Sequence, residues 1–296
     1  FYNLWLAVER TNATNAYAET SAGFSFNAAA THHDSCREAY VLVIGETARA
    51  CSFGLYGYGR DTTPLLGKTG GLVAFTKAVT QSNTTHKSVP MLLSAVSAEN
   101  FDSIYYEKGI ITAFKEAGFH TVFISNQRPN HSFIDFFGEE ADEWTFLKER
   151  DGGRGDHSDA ALLSEVRRVL AKGRMKELIV LHTYGSHFNY RERYPRSAAH
   201  FRPDDATEAK ANNRPSLVNA YDNTIRFTDS VLHGVVAELA ATGARAAMVY
   251  TSDHGENIFD DSRRLFLHAS PVPSYYELHV PLIVWTSDAY RRSWPQ

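Results

Sequence analysis

Four runs of mainly apolar residues stand out along this chain. They occupy residues 39–44, 121–124, 178–181 and 246–250, and a further run at 280–285 lies near its end. Continuous apolar runs of this length, rich in β-branched residues, are typical of strands that are buried on both faces. The pattern therefore predicts a sheet that is covered by helices on its two sides.

Between these runs, apolar residues recur with the spacing of an α-helix. Residues 110–117, 156–171 and 221–239 each place their apolar side chains on one helical face. Gly118 is predicted to end the first of these helices, and Ser158 or Asp156 is predicted to cap the second. Residues 196–216 are polar and without periodicity, which predicts an excursion or a lid loop.

The alternation of strands and helices determines the predicted fold class. It favours a three-layer α/β/α sandwich with a mostly parallel central sheet. A length of 296 residues is ordinary for one such domain, and no repeat or linker divides the chain. We predict a surface segment over residues 1–38, followed by a single α/β domain over residues 39–296. Within the first segment, His32, His33 and Asp34 form only a weak candidate metal cluster.

Composition narrows the class of protein. An apolar share of 43% and a charged share of 22% indicate a globular chain. The net charge of -4 argues against a nucleic-acid partner, because such proteins carry a basic surface. No run of 18 apolar residues predicts a membrane span, and the chain begins without methionine. We expect a processed protein or an excised soluble part of a longer one.

Cys36 and Cys51 are the two cysteines of the chain, and they lie on either side of the first apolar run. A strand between them would hold the two thiols too far apart for a disulfide. We therefore predict that both are unpaired. Their spacing is also unlike that of a cysteine-based zinc site.

Polar side chains follow each of the four main apolar runs. Glu46 follows the first run, residues 126–131 the second, His182 and His187 the third, and the segment TSDHGE at 251–256 the fourth. Carboxyl ends of parallel strands meet at one edge of a sheet, where ligands bind. Carboxylates and imidazoles without cysteine suit zinc or manganese. The polar side chains of the second group, Asn126 among them, are candidates for holding a phosphate or an acceptor, although a solvated loop would look the same.

A cluster of hydroxyl side chains precedes a further helix. Pro90 is predicted to lie in its first turn with Ser88 as the N-cap, so Thr84 and Thr85 would lie at the positive end of the helix dipole. A phosphate is stabilised at such a position, and a metal-activated hydroxyl there could attack it. A Ser/Thr-rich loop with an ordinary cap is the competing interpretation.

Taken together, these segments resemble one known family. The resemblance rests on VIGETAR at 43–49, T-x-x-SVP at 85–90, LH at 181–182 with GSH at 185–187, RYP at 193–195, YDNT at 221–224 and SDHGE at 252–256. In this order they resemble the periplasmic catalytic domain of bacterial phosphoethanolamine transferases, in the alkaline-phosphatase and sulfatase superfamily. Members often carry disulfides around the nucleophile, and this chain has no cysteine there.

The resemblance implies roles for particular residues. Glu46, Thr85, Asp253 and His254 would hold a catalytic zinc, with Thr85 also the nucleophile, preferred to Thr84 because of its three-residue spacing to Ser88. The further positions implied are His187 and His268, which would bind a second zinc or the phosphoryl group, and His182 and Glu256, which match supporting positions. His182, His187 and His268 join Thr85 as catalytic candidates. One tight zinc site is expected, a second is left open, and manganese is less favoured.

The resemblance also implies a reaction and a location. Phosphoethanolamine would pass from phosphatidylethanolamine to Thr85, and then to lipid A or another hydroxyl of the cell envelope. The chain would be a monomeric catalytic domain that faces the periplasm and is attached to the inner membrane through a missing N-terminal anchor.

Two other functions are compatible with the same residues. A glycerophosphate transferase of the lipoteichoic acid synthase type also uses a metal-bound threonine, and a catalytically silent relative could bind glycans or lipids with the same fold. A sulfatase is disfavoured, because neither Cys36 nor Cys51 lies in the C/S-x-P-x-R motif that sulfatases require.

Overall fold

The computed structural model of the chain describes residues 2–31, 35–150, 158–206 and 208–295. The weak candidate cluster of His32, His33 and Asp34 lies outside the described residues, as does the proposed helix cap Asp156. The strands are β1 Glu38–Gly45, β2 Leu72–Phe75, β3 His120–Ser125, β4 Glu143–Phe146, β5 Lys176–His182, β6 Arg245–Ser252, β7 Asn257–Ile258, β8 Phe266–Leu267 and β9 Leu282–Thr286. The α-helices are α1 Tyr2–Asn15, α2 Tyr17–Thr20, α3 Thr85–Leu93, α4 Ile110–Glu116, α5 Phe133–Glu139, α6 Leu147–Arg150, α7 Ala160–Leu170, α8 Arg214–Ala241, α9 Tyr275–Leu278 and α10 Asp288–Ser293.

The central sheet contains seven strands in the order β2-β9-β6-β1-β5-β3-β4. Neighbours from β6 to β4 pair in parallel, whereas β9 is antiparallel to both β6 and β2. The predicted mostly parallel sheet is therefore confirmed. Strands β7 and β8 form a separate small ribbon.

Alternate residues of the central strands enter two different cores. Val41 and Val43 of β1 pack in a core with α7 and α8, whereas Ile44 packs in a core with α3, α4 and α5 on the opposite face. This alternation follows from the pleat of a strand, which points successive side chains to opposite faces. It produces the predicted three-layer α/β/α sandwich and explains why the strands read as continuous apolar runs.

The N-terminal segment contacts the second of these cores. Tyr17 of α2 is buried there and stacks on Phe136, while its hydroxyl donates to the Glu107 carbonyl at 2.9 Å. The proposed division into a segment over residues 1–38 and a domain over residues 39–296 stays a prediction.

The start of α3 differs from the sequence-based expectation. Ser88 was expected as the N-cap and Pro90 in the first turn, but the helix begins at Thr85, with Thr84 at the N-cap position. Pro90 therefore lies inside the helix, where it has no N–H for the carbonyl four residues earlier. Ser88 Oγ instead donates to the Thr84 carbonyl at 3.0 Å. Thr85 is therefore the first residue of the helix.

Two other helices begin at different residues from those expected. Helix α7 begins at Ala160 with Asp159 at the N-cap position, so Ser158 is not its cap. Helix α8 begins at Arg214 rather than at residue 221, because Pro215 lies in its first turn, where proline fits well. The predicted excursion over 196–216 is correspondingly shorter. Strands β2 and β4 were not predicted.

The predictions about the two cysteines and about membrane-spanning helices can also be compared with the structure. Neither Cys36 nor Cys51 forms a disulfide, as predicted. Among the described residues, none of the helices has both the length and the apolar character that crossing a membrane requires.

One buried carboxylate connects α8 to the turn that leads into β2. Asp229 accepts hydrogen bonds from the Leu65 and Leu66 amides at 3.0 and 2.9 Å, and its side chain is fully buried.

We expect Asp229→Ala to lower the free energy of unfolding by about 2 kcal/mol or more, because two amides lose their acceptor. Urea unfolding measures this. Asp261→Ala, which removes an exposed ion pair with Arg263, should change it by less than about 0.5 kcal/mol. An equal loss in both variants would contradict this role.

Candidate active site

Three elements bring the predicted site residues to one edge of the sheet. Strands β1 and β6 pair in parallel with Gly45 opposite Ser252, so Glu46 and Asp253 follow side by side at the carboxyl ends. His254 comes next along the chain, and Thr85 is the first residue of α3. The parallel pairing thus brings together residues that are about two hundred positions apart in sequence.

Contacts of 3.1–3.5 Å connect the side chains of Glu46, Thr85, Asp253 and His254. Thr85 Oγ1 lies 3.1 Å from His254 Nε2 and 3.3 Å from each carboxylate oxygen of Glu46. His254 Nε2 is also 3.2 Å from Asp253 Oδ2 and 3.5 Å from Glu46 Oε1. One ligand atom from each of Glu46, Asp253 and His254 lies within 4.8 Å of the other two. These three donors surround a point that a single metal ion could occupy.

Thr47 positions both carboxylates. Its backbone adopts a φ of 61°, which is unusual for a β-branched residue, and its N–H donates to Asp253 Oδ1 at 3.0 Å. Its hydroxyl donates to Glu46 Oε1 at 2.6 Å. Tyr221 of α8 holds this turn by donating its hydroxyl hydrogen to the Thr47 carbonyl at 2.7 Å. The strained turn therefore sets the separation between Glu46 and Asp253.

The hydrogen bonds of His254 determine which ring nitrogen is available. Its Nδ1 lies 2.9 Å from the Gly255 carbonyl oxygen. A carbonyl oxygen can only accept, so Nδ1 carries the hydrogen, and in the neutral ring Nε2 has a free lone pair. That lone pair is on the nitrogen nearest Thr85, Glu46 and Asp253. Metal-binding histidines use the same arrangement.

The electrostatics of the site favour a cation. Glu46, Asp253 and His254 are each at most 1% exposed. Burial and the charge of Glu46 raise the pKa of Asp253 to about 6. Burial also opposes ionisation of Glu46, but its pKa is lowered on balance by His254 and by the Thr47 hydrogen bond. Asp253 Oδ2 is buried and accepts no hydrogen bond from the described residues. These donors fit a divalent metal ion, whose charge would offset the repulsion between the carboxylates.

Gln127 supports Glu46 from the side of β3. Its Nε2 lies 2.9 Å from Glu46 Oε2, 2.9 Å from the Thr183 carbonyl and 3.0 Å from His182 Nε2. His182 is buried behind it, and burial lowers the pKa of this imidazole to about 4. His182 is therefore neutral and reaches Glu46 only through Gln127. Gln127 was predicted, with the other polar residues at 126–131, as suitable for holding a phosphate or an acceptor, whereas its hydrogen bond to Glu46 was not predicted.

Asn126 acts on the site indirectly, through the Asp159 carboxylate. Its Nδ2 donates to Asp159 Oδ1 at 2.8 Å, and the same carboxylate accepts from the amides of Tyr184 and Gly185. Burial raises the pKa of Asp159, although these hydrogen bonds oppose the effect. Asn126 thus helps to fix the loop that carries His187. The role of Asp159 in this arrangement was not predicted from the sequence.

Glu256 and His268 form a second acid–imidazole pair beside the first. Glu256 is fully buried and accepts hydrogen bonds from the Tyr190 hydroxyl and from His268 Nδ1, the latter at 3.1 Å. The pairing leaves Nε2 of His268 available to a ligand. The His268 ring centroid lies 4.2 Å from that of His254. A proton donor or acceptor is therefore held next to the metal donors.

His187 completes the rim of the cavity. Its ring stacks on Tyr184 at 5.3 Å with an interplanar angle of 14°, and its Nδ1 donates to the Phe188 carbonyl at 2.6 Å. Its centroid lies 6.4 Å from that of His268.

The cavity has a volume of about 400 Å³ and is lined by Glu46, Thr84, Thr85, His86, Gln127, Asn130, His187, His268 and Ala269. Thr85 is thus open to a ligand, while the metal donors behind it are buried.

The sequence of this chain is similar to a known protein family and to curated proteins. Residues 38–295 match the sulfatase family. A curated relative, Kdo(2)-lipid A phosphoethanolamine 7''-transferase of Escherichia coli strain K12, is 30% identical over 295 residues, which cover 97% of this chain and 50% of the relative. The chain spans about half the length of the curated relatives it matches.

Solved structures agree with this comparison. The C-terminal periplasmic domain of EptC from Escherichia coli, in complex with zinc, superposes with a TM-score of 0.80 at 25% identity, covering 89% of this chain and 76% of that one. The soluble domain of lipooligosaccharide phosphoethanolamine transferase A from Neisseria meningitidis gives a TM-score of 0.79 at 29% identity, covering 90% and 81%. The resemblance drawn from the motifs and the predicted alkaline-phosphatase/sulfatase-like fold are confirmed.

The backbone of Glu46 is closely packed against Gly185. Gly185 has a φ of 48°, and a Cβ there would lie 2.6 Å from the Glu46 carbonyl oxygen and 2.9 Å from its nitrogen. We expect Gly185→Ala to displace Glu46 and to weaken zinc binding at least tenfold, as measured by competition with a chelating dye.

Gly173→Ala is the matched control. Gly173 has a φ of 67°, but a Cβ there would meet nothing within 4 Å. Both substitutions force alanine into the left-handed region, which costs about 1 kcal/mol of stability. Only Gly185→Ala should also lose zinc affinity. Equal zinc affinity in the two variants would show that the contact with Glu46 does not matter.

Proposed function

The chain belongs to the sulfatase family, and from this premise we propose that it is a phosphoethanolamine transferase with Thr85 as its nucleophile. The donor in this proposal is phosphatidylethanolamine, and the acceptor is lipid A or another saccharide of the cell envelope. The observation that carries it is the position of Thr85 Oγ1, which faces a 400 Å³ cavity and lies 3.1–3.3 Å from His254 and Glu46. A hydroxyl beside a metal-donor set is the arrangement that phosphoryl transfer through a covalent intermediate requires.

The nucleophile distinguishes this proposal from sulfate-ester hydrolysis. The residue at the start of α3 is threonine, and no cysteine lines the cavity. Relatives of similar sequence are named phosphoethanolamine transferases, which supports transfer rather than hydrolysis.

Zinc is the proposed cofactor. Glu46, Asp253 and His254 would hold it together with Thr85 Oγ1, and the bound ion would lower the pKa of the hydroxyl and neutralise charge on the phosphoryl oxygens. The carboxylate and imidazole donors suit zinc, and a related domain was solved as a zinc complex. We propose one tight site, with His187 and His268 available for a second ion or for the phosphoryl group.

The side chains then divide two steps between them. In the first, Thr85 Oγ1 gives up its proton and bonds to phosphorus, the bond from phosphorus to the diacylglycerol oxygen breaks, and that oxygen takes a proton. In the second, the acceptor hydroxyl gives up its proton and its oxygen bonds to phosphorus, while the bond from phosphorus to Thr85 Oγ1 breaks and Oγ1 takes a proton. His268 is suited to these proton transfers, because its hydrogen bond to the Glu256 carboxylate fixes its ring beside Thr85 and His254. The amino end of α3 favours the phosphate charge.

The proposed setting follows from the relatives. Their solved domains are described as periplasmic, and the chain spans about half the length of the curated proteins. We propose that it is the periplasmic catalytic domain of a longer protein anchored in the inner membrane.

Covalent loading tests the nucleophile. After incubation with phosphatidylethanolamine vesicles, intact-mass spectrometry should detect phosphoethanolamine on the wild type and not on Thr85→Ala. Thr84→Ala is the matched control and should still be labelled, since its hydroxyl contacts Ser82 rather than the metal donors. Labelling of Thr85→Ala would contradict the assignment of Thr85 as the nucleophile. Glycerophosphate on Thr85 after incubation with phosphatidylglycerol, without loading from phosphatidylethanolamine, would favour the glycerophosphate transferase.

Metal analysis tests the cofactor. We expect one tightly bound zinc per chain in the wild type and in His187→Ala, and at least a hundredfold weaker binding in Asp253→Asn. Chelation should lower the melting temperature, because a ligand that binds only the native state stabilises it. It should also abolish loading of Thr85, and added zinc should restore it. A wild-type chain that loads Thr85 fully without metal would refute the cofactor proposal.

A further inference from the structure

Two cationic side chains enclose one aromatic ring beside the cavity. Lys148 Nζ lies 3.0 Å from the centroid of the Tyr184 ring, and Arg193 Cζ lies 4.1 Å from it. We refer to Lys148, Tyr184 and Arg193 as the Tyr184 cluster. None of the three was singled out as a candidate site residue from the sequence, and the transfer steps described above do not use them.

Lys148 forms no ion pair with any carboxylate of the described residues. The residue is only 8% exposed, and within residues 2–31, 35–150, 158–206 and 208–295 its ammonium has neither a hydrogen-bond acceptor nor an ion-pair partner. Burial and the nearby charges of Arg193 and Arg128 lower the pKa of Lys148 to about 8, and Asp159 only partly opposes them. Because this side chain is largely buried and has no ionic partner among the described residues, a ligand that supplied a negative charge would stabilise its ammonium group.

The Asp159 carboxylate and part of the Arg193 guanidinium are already hydrogen-bonded within the protein. Arg193 donates to the exposed carboxylate of Glu192 at 2.9 Å and to the Asn189 carbonyl at 3.2 Å. The Asp159 carboxylate accepts from Asn126, Tyr184 and Gly185. The region therefore keeps an excess of positive charge, to which the exposed Arg128 adds.

The cluster lies on the same edge of the sheet as the metal donors. Lys148 follows the carboxyl end of β4, and Tyr184 follows that of β5. Tyr184 stacks on His187, which lines the cavity in front of Thr85. A ligand that occupied both the cavity and the Tyr184 cluster would extend along the carboxyl edge from β1 towards β4.

We propose that the Tyr184 cluster binds an anionic group, phosphate or carboxylate, on the saccharide that accepts phosphoethanolamine. The inference rests on the proposed function and identifies the chemistry of its second substrate. Lys148 supplies a point charge at the end of a largely buried side chain, Arg193 supplies guanidinium donors, and Tyr184 holds both cations next to His187. An acidic saccharide bound there would direct a hydroxyl towards loaded Thr85.

Discharge of the loaded enzyme tests the proposal separately from loading. Wild type and Lys148→Met are first loaded from phosphatidylethanolamine, and the loss of label from Thr85 is then followed with glucosamine 1-phosphate, glucuronate or uncharged glucosamine. Lys148→Met should load normally. It should need at least tenfold more glucosamine 1-phosphate or glucuronate for half-maximal discharge, whereas glucosamine should act equally on both enzymes. Comparing the two anions shows whether phosphate or carboxylate is preferred.

Lys176→Met is the matched control. Lys176 is also placed over an aromatic ring, 5.5 Å from the centroid of Phe119, but it begins β5 at the opposite edge of the sheet. It should discharge like the wild type with every saccharide. Lys148→Arg, which keeps the charge, should recover part of the lost affinity for the anionic saccharides.

The outcomes separate the two proposals. Unchanged discharge of Lys148→Met by both anions would overturn the inference, and so would an equal loss with glucosamine, which would indicate a packing role. If the wild type does not load, the proposed function fails, and calorimetry with glucosamine 1-phosphate then decides about the cluster. Binding that is at least tenfold weaker in Lys148→Met than in Lys176→Met would support it, and equal binding would reject it.

Discussion

Two buried carboxylates on neighbouring parallel strands determine how this site is built. Glu46 and Asp253 are almost inaccessible to water and lie around the same imidazole, His254. In a medium of low polarity, two such charges repel strongly unless hydrogen bonds and a positive charge compensate them. The protein compensates the charge of Glu46 more fully than that of Asp253. Thr47 and Gln127 donate to Glu46, whereas Asp253 Oδ2 accepts no hydrogen bond from the described residues. The unsatisfied oxygen is the strongest local argument that a cation belongs there.

The surrounding fold keeps these groups at fixed positions. Tyr221 on α8 holds the turn at Thr47, and Tyr190 holds Glu256, so one layer of helices and loops supports both acid–imidazole pairs. Gly185 allows the loop after β5 to approach the Glu46 backbone. Rigid support of this kind is needed for catalysis by positioned groups, because small displacements of the reacting atoms slow the reaction strongly. The proposed nucleophile, Thr85, is on a separate element, α3, so its position relative to Glu46 and His254 depends on where that helix begins.

Much of this arrangement could be predicted from the sequence. Apolar runs identified β1, β3, β5 and β6, and the polar residues that follow them identified the edge at which Glu46, Asp253 and His254 meet. Local patterns of this kind are strong because burial on both faces leaves few alternatives for a strand. The start of α3 could not be predicted, because Pro90 usually marks a first turn and here lies inside the helix. The roles of Gln127 and Lys148 could not be predicted either, since they depend on contacts between strands that are distant in sequence.

The order of strands also explains how one edge can serve two chemically different tasks. Strands β6 and β1 are adjacent and carry the acidic donors, whereas β5, β3 and β4 lie on the other side of β1 and end near Tyr184, Arg128 and Lys148. Negative groups are thus concentrated where a metal can neutralise them, and positive groups lie further along the edge. His187 stands between the two regions, in contact with Tyr184 and on the rim of the cavity. Because a parallel sheet collects its strand ends on one side, a modest change at the end of β4 or β3 could alter what the edge binds without disturbing the donors after β1 and β6.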